Sequence, residues 1–180
     1  MFKKSISQKT FKLGFIVFAF LSLISCEKNP SSHKEKFFDP QKLPLLSLEE
    51  VNHFWQNDSI KYISNFIDGI FNDHSGFLGG VRYSGDKNII GVSVFKSQAD
   101  AIDAMELRRN NVAAIIVPGN SDEVFKGKWW FTDNIPNAVF VNQWNTIAEV
   151  SAYHPDYEEV KTLLMETAAE IAQRIDSLSE

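Results

Sequence analysis

The sequence contains a single cysteine, Cys26, among its 180 residues. One thiol excludes an intramolecular disulfide framework, so the folded part of the chain must be stabilised by its hydrophobic core.

The chain is also poor in basic residues. Four of its 18 lysines and arginines lie in residues 1–25, and the remaining 14 are outnumbered by 23 acidic residues, which gives a charge of −9 from Cys26 onward. Because nucleic-acid binding depends on neutralising phosphates, this balance argues against a nucleic-acid partner.

The motifs of common catalytic and metal sites are missing as well. The histidines, His33, His53, His74 and His154, are not spaced as metal ligands with one another or with carboxylates. The sequence has no GxSxG motif, and the glycines of residues 76–80 lack the GK[ST] ending of a phosphate-binding loop. We therefore expect neither a metal ion nor a cofactor.

The N-terminus has the pattern of a secretory signal. Lysines at positions 3, 4, 9 and 12 precede an apolar stretch over residues 13–24. This stretch is shorter than the ~20 apolar residues that span a bilayer, but it suits the apolar region of a signal peptide. Ser25 supplies a small residue directly before Cys26. We predict that residues 1–25 are a signal peptide.

Residues 23–26, Leu-Ile-Ser-Cys, resemble the lipobox of bacterial lipoproteins. The resemblance implies cleavage before Cys26, lipid on its sulfur and acylation of the new amino group, which would anchor the protein in a membrane. The implied location is the bacterial cell envelope, and Glu27 after the anchor is compatible with the outer membrane. The alternative is a free thiol left by an ordinary signal peptidase.

The chain after the leader divides into a linker and one domain. Residues 26–46 combine prolines, serines and mixed charges without periodicity, which predicts a flexible tether. The pair Phe37 and Phe38 could dock on the domain, and the alternative is a solvated linker with two aromatic residues. Residues 47–180 have the size of a single domain. Ser47 and Glu50 predict a capping box at the first helix, with Leu46 and Val51 in the positions of a hydrophobic staple.

Hydrophobic periodicity predicts an α+β fold. A second helix is expected over residues 60–71, because Ile60, Ile63, Phe66, Ile67 and Phe71 share one stripe. Strands are predicted over residues 77–83, 88–95, 112–117, 128–132, 138–142 and 146–153, with a helix capped by Ser97 and a terminal helix from residue 156. This order predicts helices packed on one face of a mainly antiparallel sheet, similar in pattern to ferredoxin-like units.

Two features could form a binding site. Aromatic residues crowd the later strands at Trp129, Trp130, Phe131, Phe140 and Trp144, joined by Tyr83. Because Trp129 and Trp130 are adjacent, they point to opposite faces, and an exposed aromatic face often marks an interface. The alternative for these aromatic residues is a large core with one tryptophan near a loop. Glu149 lies in the middle of a strand and could act as a general base or orient a ligand. The alternative for Glu149 is a solvated face and a pairing with Arg82.

These features favour a lipid-anchored binding or interaction module over a catalyst. The expected site is a sheet face that carries Trp129, Phe131, Phe140, Trp144, Tyr83 and Glu149. Its partner would be a small molecule, another protein or a second copy of the chain. Two alternatives stay open: a hydrolase or isomerase with Glu149 or His74 as general base, and a structural subunit of an envelope assembly.

Overall fold

Seven strands of the described part of the chain form one antiparallel sheet. The computed structural model describes residues 35–54, 62–64, 69–111, 116–119, 124–132, 137–153 and 157–180. The compact unit that contains them begins at Glu35. The predicted signal peptide, the lipobox and Cys26 lie outside the described residues.

The described residues form seven strands, four α-helices and one 3₁₀ turn. The strands are β1 (Tyr62–Ser64), β2 (Phe77–Ser84), β3 (Asn88–Phe95), β4 (Ile116–Gly119), β5 (Trp129–Thr132), β6 (Asn137–Gln143) and β7 (Thr146–Ala152). The helices are α1 (Leu48–Phe54), α2 (Gly69–Asn72), α3 (Gln98–Asn110) and α4 (Tyr157–Leu178), and one 3₁₀ turn covers Pro40–Lys42. No described helix is both long enough and apolar enough to cross a membrane.

The strand order is β1-β2-β3-β7-β6-β5-β4. Two antiparallel meanders, β1 to β3 and β4 to β7, therefore meet where β3 pairs with β7. The predicted α+β class is confirmed. This order differs from the β-α-β-β-α-β arrangement of a ferredoxin-like unit. Here the four strands that follow α3 form one meander, and none of them inserts between β1, β2 and β3.

Helices cover both faces of the sheet, whereas the sequence predicted one. The apolar side of α4, which includes Leu164 and Ile171, packs on one face. On the opposite face, Ala101, Ala104 and Met105 of α3 pack against the sheet. The reason lies in β6, whose residues are buried at every position, so that both of its faces need an apolar cover.

The segment from residue 35 to residue 46 is docked on the domain and is not part of a free tether. Phe38 is fully buried, and Leu45 and Leu46 join the same core cluster. Phe37 and Glu180 exchange two backbone hydrogen bonds, of 2.9 and 3.1 Å. The predicted tether boundary at residue 46 is thus too late. Composition suggested an extended linker, but apolar side chains with paired backbone groups allow such a segment to pack.

The first predicted helix begins as expected. The amide of Ser47 donates to Glu50 Oε2 at 2.8 Å, and the amide of Glu50 donates to Ser47 Oγ at 3.2 Å, which completes the capping box. Leu46 and Val51, the expected staple residues, are both buried. The structure agrees with the sequence here because the signal is local.

Part of the second predicted helix is replaced by a strand. Among its described residues, Tyr62–Ser64 forms β1, which pairs with β2, whereas Gly69–Asn72 is helical. A strand in this position gives hydrogen-bond partners to an edge of β2, a requirement that helical periodicity cannot reveal. Ile60, Phe66 and Ile67 of the predicted stripe lie outside the described residues, as do residues 112–115 of a predicted strand whose observed part is β4.

Candidate functional site

The structure does not bring the six predicted site residues onto one face. Tyr83, Phe131 and Trp144 belong to the core on the α4 side, and Trp129 packs against the edge of that core. Phe140 lies in the core on the α3 side. Glu149 also faces α3, because its neighbours Ala148 and Val150 face α4 and side chains alternate along a strand.

Tyr83 holds the docked N-terminal segment. Its hydroxyl donates to the carbonyl of Leu46 at 3.0 Å and accepts from the amide of Leu46 at 2.8 Å. Burial raises the pKa of the Tyr83 hydroxyl above its ordinary value, so it remains a neutral donor and acceptor. This residue satisfies buried backbone groups and is not accessible to a ligand.

Trp144 occupies the two-residue turn between β6 and β7 with a φ of 54°. Such a backbone conformation costs about 1–3 kcal/mol for a residue with a side chain. The indole Nε1 donates to Asp176 Oδ1 at 2.7 Å, which ties the turn to α4. Burial alone would raise the pKa of Asp176, but the hydrogen bonds from Trp144 and Lys36 lower it overall. Trp144 is therefore a structural residue.

Glu149 lies in a cross-strand row with Arg82 and Gly91. Gly91 pairs with Arg82 on one side and with Glu149 on the other, so the Cα atoms of the two charged residues are about 10 Å apart. Gly91 has no side chain to fill the space between them. Glu149 is half-buried, and among the described residues it forms no ion pair with Arg82.

His74 closes the turn before β2. Its Nδ1 accepts a hydrogen bond from the amide of Gly76 at 3.1 Å, and its ring meets Phe95 edge-on, with 5.6 Å between the ring centroids. Phe95 lies four residues along β3 from Gly91, the partner of Glu149, which corresponds to about 13 Å. His74 and Glu149 consequently do not form an acid–base pair.

A cavity opens instead beside the β4–β5 edge of the sheet and the last turns of α3. Its volume is about 160 Å³. It is lined by Glu106, Arg109, Pro118, Gly119, Lys128, Trp129 and Trp130. Of these, only the tryptophans had been singled out in the sequence. Pro118 and Gly119 lie beside the tryptophans because β4 pairs antiparallel with β5, which places Gly119 opposite Trp129 and Pro118 opposite Trp130. Glu106 and Arg109 come from α3.

Both tryptophans pack against neighbouring residues of the sheet. The ring of Trp130 stacks on Phe140 with 3.9 Å between centroids, and the guanidinium of Arg108 lies 5.7 Å from the centroid of Phe140. The ring of Trp129 lies directly over Gly119, where a Cβ atom would overlap the indole. These contacts fix Trp130 on the α3 side of the sheet and Trp129 on the α4 side.

The polar groups around the cavity are mainly hydrogen-bond donors. Glu106 contacts Arg109 at 3.2 Å and Lys128 at 3.8 Å, so one carboxylate serves two cations. The indole N–H groups of Trp129 and Trp130 are buried and have no hydrogen-bond partner among the described residues, so neither is exposed to the cavity. The accessible donors belong to Arg109 and Lys128, whose side chains are partly exposed. The site can therefore accept a group that carries acceptor oxygens.

The arrangement shows no metal centre in the described residues, since no three His, Cys, Asp or Glu side chains converge there. No protein-family model matches the sequence, and no curated protein matches it. Glu106 and Arg109 were missed in the sequence because a glutamate and an arginine three positions apart on a helix usually form a solvated surface pair.

Proposed function

We propose that this protein is a lipid-anchored binding module of the bacterial cell envelope, and that the cavity beside β4 and β5 is its ligand site. The observation that carries the proposal is a cavity in which Arg109 and Lys128 lie beside Trp129 and Trp130. Aromatic residues with a few polar groups are the usual lining of a small-molecule site.

The anchor rests on the leader and on the position where the domain starts. Lysines, a short apolar stretch and Ser25 precede Cys26, which resembles a lipid attachment site. The compact unit begins at Glu35. The nine positions from Cys26 to Glu35 span at most about 30 Å, since an extended chain covers ~3.3–3.6 Å per residue. A lipid on Cys26 would hold the domain close to the membrane.

The docked segment also shows where the chain enters the domain. Lys36 Nζ contacts Asp176 Oδ1 at 3.3 Å, and Phe37 pairs with Glu180 through the backbone. Asp176 lies in the last turn of α4, and Glu180 follows the helix. The chain from the anchor therefore enters the domain beside the C-terminal end of α4.

An enzymatic role has less support from the geometry. His74 uses Nδ1 to close a turn, and Glu149 faces a row in which Gly91 and Phe140 are its direct neighbours. Neither residue lines the cavity. The third possibility, a structural subunit or a homodimer through a sheet face, is disfavoured because α3 and α4 cover the two faces of the sheet.

The anchor is tested by replacing Cys26→Ser in the full-length chain. We expect the wild-type protein to fractionate with membranes and to carry an acylated N-terminal cysteine by mass spectrometry, and the variant to lose both properties. Lys28→Gln, which lies outside the lipobox, is the matched control and should behave as wild type. A wild-type protein with a free, unmodified Cys26 would contradict the anchor.

Ligand binding is tested on the mature protein in detergent. A panel of small organic acids, amides, sugars and amines is screened by the change in intrinsic tryptophan fluorescence and by the thermal midpoint. We expect at least one class to change the fluorescence, because two tryptophans form the walls. If no class shifts either signal, the assignment of a binding module is wrong.

A further inference from the structure

We propose that the cavity recognises the carboxylate of a small organic monoanion through Arg109 and Lys128. This inference rests on the binding function proposed above and specifies its ligand class. It follows from three features of the described residues: the excess of donors, the local charge and the cavity volume.

The donors around the cavity exceed the acceptors that the protein supplies. A guanidinium has five N–H donors and an ammonium three, whereas Glu106 alone serves both Arg109 and Lys128. A ligand that fits must therefore supply acceptor oxygens, and it needs no donor of its own.

The charge of the lining favours a monoanion. Arg109 and Lys128 carry two positive charges, and Glu106 carries one negative charge between them. A carboxylate fits this balance and can accept two parallel hydrogen bonds from a guanidinium. A phosphate dianion would bring a second negative charge close to Glu106, and like charges at such distances repel.

The cavity volume limits the size of the part of the ligand that follows its carboxylate. The cavity of about 160 Å³ is smaller than the ~300–1,000 Å³ typical of sites for drug-sized ligands. It admits a carboxylate with a small hydrocarbon or aromatic body. The contacts of Trp130 with Phe140 and of Trp129 with Gly119 hold the residues that line the cavity in place.

Half-exposed cations determine how binding responds to salt. The side chains of Arg109 and Lys128 are 43% and 61% exposed, so their attraction for an anion is screened by added ions. We expect affinity for a carboxylate to fall as the salt concentration rises. Binding of a neutral analogue through the indoles alone would not change in this way.

The test compares benzoate with benzamide, its neutral analogue of similar shape, on the mature full-length protein in detergent at constant ionic strength. Affinity is measured by tryptophan fluorescence and by calorimetry. We expect benzoate and butyrate to bind, and benzamide to bind at least tenfold more weakly, as expected for the loss of a charge-assisted hydrogen bond. Arg109→Gln should weaken benzoate binding about tenfold and leave benzamide unchanged.

The controls separate the ligand class from the binding function. Lys87→Gln removes the same charge in the turn between β2 and β3, away from the cavity, and should keep wild-type affinity. Circular dichroism and the thermal midpoint of each variant verify folding. Equal binding of benzoate and benzamide would overturn the carboxylate assignment but leave a binding module. Tighter binding of inorganic phosphate than of benzoate would also overturn it, and no response to any probe would count against both proposals.

Discussion

Asn145 and Phe38 are joined by two hydrogen bonds although 107 positions separate them. The amide of Phe38 donates to Asn145 Oδ1 at 2.7 Å, and Asn145 Nδ2 donates to the carbonyl of Phe38 at 3.1 Å. The same Nδ2 donates to the carbonyl of Phe95 at 2.8 Å. One side-chain amide in the β6–β7 turn thus fastens the N-terminal segment and the end of β3, and it satisfies buried backbone groups that water cannot reach.

Replacing Asn145→Ala should release the N-terminal segment. Removal of the amide leaves the N–H and C=O of Phe38 without these partners, and each buried unsatisfied group costs about 1–3 kcal/mol. We expect the free energy of unfolding to fall by on the order of 3 kcal/mol. Urea denaturation followed by circular dichroism measures this change.

Limited proteolysis provides the local readout for the same variant. Cleavage within residues 35–46 should become faster in Asn145→Ala than in the wild type, because an undocked segment fits a protease site. Asn110→Ala, at the exposed end of α3, is the control and should change neither stability nor cleavage appreciably. An unchanged cleavage rate in the Asn145 variant would show that other contacts suffice to dock the segment.

Acid should weaken the link between α1 and α4. Hydrogen bonds from the Ser47 backbone amide and from Arg174 lower the pKa of Glu50 to about 2. Because this pKa is depressed in the folded state, the stabilisation is present above the ordinary value of 4.5 and is lost as the pH falls toward about 2. We expect the urea midpoint of the wild type to decrease in that window.

Glu50→Gln tests the origin of this acid dependence. Glutamine can still accept from Ser47 in the capping box, but it has no charge to lose and none to pair with Arg174. The variant should be less stable at pH 7 and should change less than the wild type between pH 5 and pH 2. Glu49→Gln, in the same exposed first turn, is the control. An identical pH profile for Glu50→Gln and wild type would contradict the role assigned to Glu50.

The hydrogen bond between Trp144 and Asp176 should appear as a coupling energy. A double-mutant cycle with Trp144→Phe and Asp176→Asn is expected to give about 1–2 kcal/mol, the magnitude of a partly exposed hydrogen bond to a charged group. The comparison cycle uses Trp130→Phe, because Trp130 lies in the core on the opposite face. Its combination with Asp176→Asn should be additive, and a coupling as large as that of Trp144 would rule out our interpretation.

Gly119→Ala should displace the wall of the cavity. A Cβ atom at this position overlaps the ring of Trp129, and such overpacking typically costs about 1–3 kcal/mol. We expect a shift of tryptophan emission and weaker ligand binding. At Gly79, an added Cβ meets only Pro40 at 3.9 Å, so Gly79→Ala should leave the emission unchanged. A Gly119→Ala variant with wild-type emission and binding would mean that Trp129 is not held by this contact.

The sequence predicted the elements well where the signal lies within a few residues. The capping box of Ser47 and Glu50, the cap at Ser97 and the strands around residues 77–95 and 129–152 were all identified from local patterns. The second helix was wrong over residues 62–64, since a segment with a helical stripe became an edge strand through pairing with β2. Backbone pairing between distant segments leaves no trace in local periodicity.

The candidate site was also predictable only where the signal is local. The alternation of side chains along a strand predicted that Trp129 and Trp130 lie on opposite faces, and the structure confirms this. It could not tell that Phe131, Tyr83 and Trp144 would be buried under α4, because that depends on which face each helix covers. The sequence also could not predict that Glu106, Arg109 and Lys128 line the cavity, because this depends on how closely α3 approaches the β4–β5 edge.

By itself the sequence determined the α+β class, the local starts of helices and a leader that resembles a lipoprotein signal, since each is written in neighbouring residues. Only the tertiary structure decided that residues 35–46 belong to the domain and that the cavity forms beside Trp129 and Trp130. Both outcomes rest on contacts between residues far apart in the chain. Such contacts depend on packing and on the pairing of buried polar groups, which become defined only when the whole chain has folded.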